Sequence, residues 1–302
     1  MNTIQNGISM RLVAKIAGGQ DGAIFGDELF RFDHRGGCRV YRMPELLSAA
    51  GGSVSASATF TLDRASEFVP HSNAVFFGCE RYEEGDEFPL LYSNVYNNYA
   101  GKEEPYMGVC CVYRLTRTAG GFETALVQLI KIGFCEDPTL WKAHPDRHEA
   151  RPYGNFLIDR DTGRYYAFVM RANDEARYFT FRTPSVREGE ILPALGVRQV
   201  TLAPADILSY FDAPPHRYIQ GATAHGGLIY STEGFSGHEI LRPTIRVIDP
   251  AAGRELASYD LISLGYTDEA EMIDFYHGVC YYSDAHGYVY AVTREGDADG
   301  TF

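Results

Sequence analysis

The sequence predicts an all-β fold: a five-bladed β-propeller of four-stranded antiparallel blades, with the N-terminal strand completing the C-terminal blade. Three observations predict it. A set of short apolar, aromatic-rich runs recurs from one end of the chain to the other, opening at Gly22, Asn73, Asn155, Gly221 and Glu271. One supersecondary unit repeated about every 40–60 residues means a propeller or an array. The last repeat has three runs where the others have four, and an orphan alternating run, ISMRLVAKI (8–16), precedes the first. Joining the orphan to the last repeat completes the ring, and a closed ring leaves only short sheet edges exposed. The whole chain, 1–302, then forms a single domain.

Taken in order, the first repeat reads GAIFG, ELFRFD, CRVYRM and ASATFTLD, with HRGG supplying a glycine turn between its second and third runs. The second reads NAVFFG, PLLYSN, GVCCVYRL and ALVQLIKI. The third reads NFLID, YYAFVMR, ARYFTFRT and RQVTLAP, so residues 198–204 are expected to close that blade. The fourth reads GATAH, LIYSTE, TIRVID and LASYDLI; the fifth reads EMIDF, VCYYSD and YVYAVTR, with AHG as its turn. Aromatic and β-branched residues of this kind suit pleated, buried surfaces. PELLSA (44–49) and ADILSYF (205–211) have helical spacing beside proline and predict short helical turns. Residues 94–108 and 133–154 are long for connections and rich in Tyr, Asn, His and charge, which predicts ordered loops near one face.

The net charge of −13 argues against nucleic acid and anionic membranes as partners, because both repel an acidic surface. The N-terminus has no apolar core of signal-peptide length and no run is long enough to span a membrane, so a soluble, cytoplasmic protein is expected; virion or surface association stays open. The six cysteines lack C-x-x-C spacing and are expected as free thiols, with Cys110 and Cys111 on opposite faces of one strand. Trp141 is the only tryptophan, so the Trp-Asp signature of one large propeller class is missing.

In a propeller the first strand of each blade lines the central channel, and the residues just before it form the channel mouth. Here those stretches are Gln20-Asp21-Gly22, His71-Ser72-Asn73, Tyr153-Gly154-Asn155, Gln220-Gly221 and Glu269-Ala270-Glu271. Gln20, His71, Asn73, Tyr153, Asn155 and Gln220 are the candidate ligand-binding residues, joined by loop tyrosines Tyr96 and Tyr99, whose flat faces and hydroxyls suit sugars. The same polar groups also serve a purely structural role if they only satisfy backbone donors and ordered water around a narrow channel. If the protein is an enzyme, Asp21, Glu269 and Glu271 are its candidate catalytic carboxylates, since paired acids can cleave a glycosidic bond and like-charge proximity keeps one protonated. His71 and His277 are candidate bases. No cofactor and no built metal site are expected. Oxygen donors from Asp21, Asn73, Asn155, Gln220 and Glu271 would suit Ca2+ in the channel, and His144-x-x-x-His148 is interrupted by Pro145.

The segments IQGA (219–222), LIYSTEG (228–234), TIRVIDP (244–250) and EAEMIDFYHGVCYYSD (269–284) resemble the propellers of phage receptor-binding and teichoic-acid-associated proteins. In that class a Gln-Gly opens one blade and a Glu-x-Glu pair the next; here Met272 stands where the pattern usually has glycine. The resemblance implies a glycan- or polymer-binding module. The expectation is therefore a propeller that binds a small molecule or glycan, a carbohydrate or cell-wall polymer first, at its channel mouth. The alternatives are a glycoside hydrolase-like enzyme and a scaffold for a protein partner.

Overall fold

Period-two alternation sends successive side chains of a strand to opposite faces, and in this protein both faces are buried. In Val109–Thr118, Cys110 and Val112 join one apolar cluster, whereas Cys111 and Tyr113 join another. In Glu28–Phe32, Phe30 and Phe32 face the second blade while Leu29 faces the fifth. A blade packed on both sides explains why its strands read as nearly continuous apolar runs.

The computed structural model of the protein describes residues 7–95, 106, 108–134, 155–170, 175–215, 219–238 and 241–294. These form five sheets. Blade 1 comprises Gly22–Phe25, Glu28–Phe32, Gly37–Arg42 and Ala58–Thr61. Blade 2 starts with Val75–Phe77, Leu91–Asn94, Val109–Thr118 and Gly121–Ile132. Blade 3 comprises Asn155–Asp159, Arg164–Met170, Glu175–Arg182 and Ser209–Pro215. Blade 4 comprises Ile219–His225, Leu228–Glu233, Thr244–Asp249 and Arg254–Asp260. Blade 5 comprises Ala270–Tyr276, Val279–Asp284, Tyr288–Arg294 and, as its outer strand, Ile8–Lys15.

The ring closes as expected, with Ile8 opposite Arg294 and Lys15 opposite Tyr288 in an antiparallel ladder. Innermost strands pack side by side in the order 1, 2, 3, 4, 5 and back to 1. Aromatic residues fill the spaces between blades: Phe30 meets Phe77 at 5.3 Å between blades 1 and 2, and Tyr230 meets Phe275 at 4.8 Å between blades 4 and 5. The turn glycines Gly36 and Gly287 hold φ of +79° and +85°, the left-handed region that their hairpins require.

Blade 3 departs from the sequence expectation. Residues 198–204 do not close it. Val197–Leu202 leaves the blade and runs parallel to Gly121–Ile132 as a fifth strand of blade 2, with Glu190–Leu192 as a sixth. Ser209–Pro215 closes blade 3 instead, within the stretch whose spacing suggested a helical turn; only Pro204–Asp206 forms one, held by the Asp206 carboxylate accepting from the Ala203 N–H at 2.7 Å. Alternation identifies a strand and its faces but not its partner. The other predicted turn forms as the helix Met43–Ser48, with Pro44 in its first turn.

Cys38, Cys110, Cys111 and Cys280 are free and buried, and Cys79 is free and exposed. Among the described residues no helix is long and apolar enough to cross a membrane. Tyr96, Tyr99, Tyr153, Trp141, His144 and His148 lie outside the described residues.

Candidate functional site at the channel mouth

Two matching irregularities shape the mouth. In blade 4 Ile219 pairs with Glu233 and Gly221 with Thr232, which leaves Gln220 unpaired. In blade 5 Ala270 pairs with Asp284 and Met272 with Ser283, which leaves Glu271 unpaired. A bulge of this kind re-aims a side chain and is common beside active sites. Gly22, opposite Arg31 in blade 1, takes the place of Gly221 and Met272, so Asp21, Gln220 and Glu271 occupy equivalent positions in three blades.

These residues are cross-linked between blades. The half-buried Gln20 of blade 1 donates to Glu271 Oε1 at 3.4 Å. Gln220 Nε2 donates to Glu269 Oε1 and, at 3.4 Å, to the Gly234 carbonyl. Asn73 Nδ2 donates to the Ile219 carbonyl at 3.4 Å, which ties blade 2 to blade 4 across the channel, and its Oδ1 accepts from Asn94. Asp21 Oδ2 accepts from the Val75 N–H at 2.9 Å. The central space is tight at this level. A Cβ on Gly221 would lie 2.3 Å from the Glu271 carbonyl oxygen and 2.8 Å from Asp21 Oδ1, so only glycine fits.

Exposure falls with depth. Gln20 and Glu269 are half-buried, Gln220 and Asn73 nearly buried, and Asp21 and Glu271 are 0% and 1% exposed. Burial pushes the carboxyl of Asp21 well above its ordinary range, against the pull of the Val75 and Gly22 N–H groups and of Arg31. Burial also raises Glu271 well above its range, and the neighbouring Glu269 charge adds to this. Glu269 is raised by burial, with Gln220 opposing. His71 is lowered to about 4 by burial and then by the charge of His34, so it is neutral near pH 7. Its neighbour Ser72 holds φ of +57° while buried, and the Ser72 carbonyl accepts from the Asp21 N–H at 3.1 Å. Backbone held in that region costs energy and collects at functional sites.

The structure brings Gln20, Asp21, Gln220, Glu269 and Glu271 together and places Asn73 on the adjoining wall. Asn155 opens the innermost strand of blade 3. His277 does not join them. It follows the far end of Ala270–Tyr276, about 20 Å along the strand from the mouth at ~3.3 Å per residue. Tyr92 is a core residue, Tyr82 is flanked by the guanidinium groups of Arg114 and Arg187, and Tyr106 packs on Phe68 at 4.5 Å.

Sequence reasoning missed Arg31 and Asp284. Arg31 sits within ELFRF, where it reads as an ordinary strand residue, yet it is 0% exposed. Its Nη2 donates to the carbonyls of Gly19 and Asp284, each at 2.9 Å. Gly19 makes room for it, since a Cβ there would lie 3.2 Å from Arg31 Nε, and the sequence carries no signal of that approach. Deeper in the channel Asp274 accepts from the Ile24 N–H at 2.6 Å and from Thr223 Oγ1 at 2.9 Å, a clasp that joins blades 5, 1 and 4. Among the described residues no group of three or more His, Cys, Asp and Glu is placed to hold a metal ion.

Five sheets in a closed ring around this mouth make the protein a five-bladed β-propeller, an architecture suited to ligand binding or scaffolding. No protein-family model matches the chain, and no curated protein is detectably similar in sequence. Among solved structures it is similar to the glutaminyl cyclase of Myxococcus xanthus, at 10% identity and a TM-score of 0.48, covering 94% of this chain and 98% of that one. It is also similar to BamB of Moraxella catarrhalis, at 8% identity and a TM-score of 0.34, covering 93% of this chain and 61% of that one. The computationally designed protein Ika8 is a third, at 9% identity and a TM-score of 0.33, covering 93% and 99%. At these identities and scores the likenesses carry nothing about function.

Proposed function

We propose that this protein is a ligand-binding propeller whose channel mouth takes a polyhydroxylated ligand, with carbohydrate or cell-wall polymer as the ligand class. The observation that carries the reading is the pair of bulged residues, Gln220 and Glu271, each linked to a half-buried group at the rim: Gln220 to Glu269, and Glu271 to Gln20. Amide–carboxylate pairs offer donors and acceptors side by side, the complement of a sugar hydroxyl, which both donates and accepts. The test is a thermal-shift screen of oligosaccharides and cell-wall fragments, followed by titration calorimetry. A ligand at 100 times its dissociation constant adds about 2.7 kcal/mol of stability. That gain should disappear in Gln220→Ala. Failure of every glycan to stabilise the protein would sink the reading.

A second reading, a glycoside hydrolase-like enzyme, is favoured by one observation: Glu271 is raised by burial and again by the adjacent Glu269. A proton-holding acid beside a second carboxylate is the equipment of glycosidic cleavage. Turnover of aryl glycosides that Glu271→Gln abolishes would support it; binding without turnover would leave the first reading alone. The free, mostly buried thiols suit a reducing compartment, and we take the cytoplasm as the working location.

A further inference from the structure

Three side chains beneath the mouth have hydrogen-bonding atoms without a partner among the described residues. Asp21 Oδ1, Glu271 Oε2, and both Nε and Nη1 of Arg31 are buried and find no partner among the described residues. The three residues are 0–1% exposed and within electrostatic reach of one another, Glu271 being the carboxylate that Arg31 feels most and Asp21 the next. Yet Arg31 spends its hydrogen bonds on two backbone carbonyls and makes no ion pair among the described residues. Buried polar groups are almost always satisfied, by protein, ordered water or a ligand, and here donors and acceptors are left over side by side, as a group that both donates and accepts requires.

We propose that Asp21, Arg31 and Glu271 form a hydroxyl-recognising subsite beneath the channel mouth, in which one hydroxyl of a neutral polyol accepts from Arg31 and donates to a free oxygen of Asp21 or Glu271. This rests on the reading of the mouth as a polyol site and names the group that reaches deepest. The chemistry selects the class. A ligand ammonium would meet the guanidinium. A ligand carboxylate would satisfy Arg31 but would enter past Glu269 and Glu271 on a protein of net charge −13. A hydroxyl satisfies both kinds of atom without adding charge. Burial works against charge on all three groups, raising both carboxyls and lowering the guanidinium, so a neutral ligand group is the one the cluster takes at least cost. On the mouth side of the cluster the half-buried Gln20 donates to Glu271 Oε1 at 3.4 Å, near the long limit for a hydrogen bond.

The test reads Arg31 directly. In protein labelled with 15N-arginine, the Nε–H resonance of Arg31 is assigned by its loss in Arg31→Lys or, if that variant does not fold, by its displacement in Asp21→Asn. Glycerol and methyl glucoside are titrated in, with sodium acetate as the anionic counterpart. The expected result is a saturable shift with the neutral polyols and none with acetate, weakened about tenfold or more in Glu271→Gln, the size of one charge-assisted hydrogen bond. A shift with acetate alone, or with no probe, overturns the subsite. A glycan that stabilises the protein through Gln220 but leaves the Arg31 resonance unmoved also overturns it, while the reading of the mouth survives. Polyols that move Arg31 while no glycan stabilises the protein would do the reverse.

Discussion

The molecule contains two arginines of almost identical burial and opposite circumstance. Arg246 in blade 4 is 1% exposed; its Nη1 donates to Glu233 Oε1 at 3.1 Å and Oε2 at 3.3 Å, and its Nε donates to Glu255 Oε2 at 2.8 Å. Ser231 donates to the same Glu233 carboxylate at 2.9 Å. Burial works against the charge on Arg246, but Glu233, Tyr178 and Glu255 outweigh it and the guanidinium is held above its ordinary value. Arg31 suffers the same burial with no carboxylate in contact among the described residues, and it is held below. The difference teaches what burial alone does not: a saturated cation is part of the scaffold, whereas an unsaturated one beside unsatisfied acids keeps bonding capacity for a partner such as water or a ligand.

The contrast can be broken in several ways, the largest effect first. Arg246→Met should destabilise the protein by about 3–5 kcal/mol in urea unfolding, because Glu233 is left buried without its counter-ion. Arg31→Met should cost less, about 1.5–3 kcal/mol, the worth of a charged donor's bonding to neutral carbonyls from the single Nη2, with no contacting counter-ion left behind among the described residues. Equal losses would make Arg31 a scaffold residue and end the distinction. Glu271→Gln sharpens it through pH. The Glu271 carboxyl is raised in the folded state, so its contribution is full below the unfolded value of 4.5 and is lost as pH rises through the raised one. The variant should therefore gain on the wild type above pH 4.5, by at most about 1.4 kcal/mol per pH unit. A urea midpoint difference that does not vary with pH would count against this. The smallest effect is at His71, whose folded value of about 4 lies below the unfolded 6.5, so its contribution is present above pH 6.5 and lost as pH falls toward 4. His71→Asn should flatten that stretch of the stability profile, and an NMR titration should find the wild-type imidazole neutral down to about pH 4.

Much of the ring was legible because blade strands are buried on both faces, so apolar runs mark them plainly. The outer strand supplied by residues 8–15 followed from a simple count of runs. Blade 5 was read one residue early, since the bulge at Glu271 puts Met272 where blade 4 has Gly221. Val197–Leu202 looked like a strand and is one, but nothing local in RQVTL says that it pairs in parallel with a different blade. Asp21, Gln220 and Glu271 were legible as a constellation because strand starts converge in any ring. Arg31 was not, because its meaning lies in the bonds it fails to make, and no pattern of residue types records those.

The excursion from blade 3 onto blade 2 has a mechanical consequence. Between leaving at Arg182 and returning at Ser209, the chain places two strands on the outside of blade 2, and Gln128 Nε2 donates to the carbonyls of Ser185 at 2.7 Å and Glu188 at 3.1 Å. Glu80 accepts from Ser185 Oγ at 2.7 Å and from the Val186 N–H at 2.9 Å. Blades 1 and 2 are tied likewise, Arg117 donating to both oxygens of Glu28 and the Leu126 N–H to Asp63, and blades 5 and 1 by backbone bonds from Lys15 to Gly52 and from Val54 to Lys15. Straps of this kind run from blade 5 through blades 1 and 2 to blade 3, so that among the described residues blade 4, which carries Gln220, is the one joined to its neighbours mostly by packing and the channel clasps.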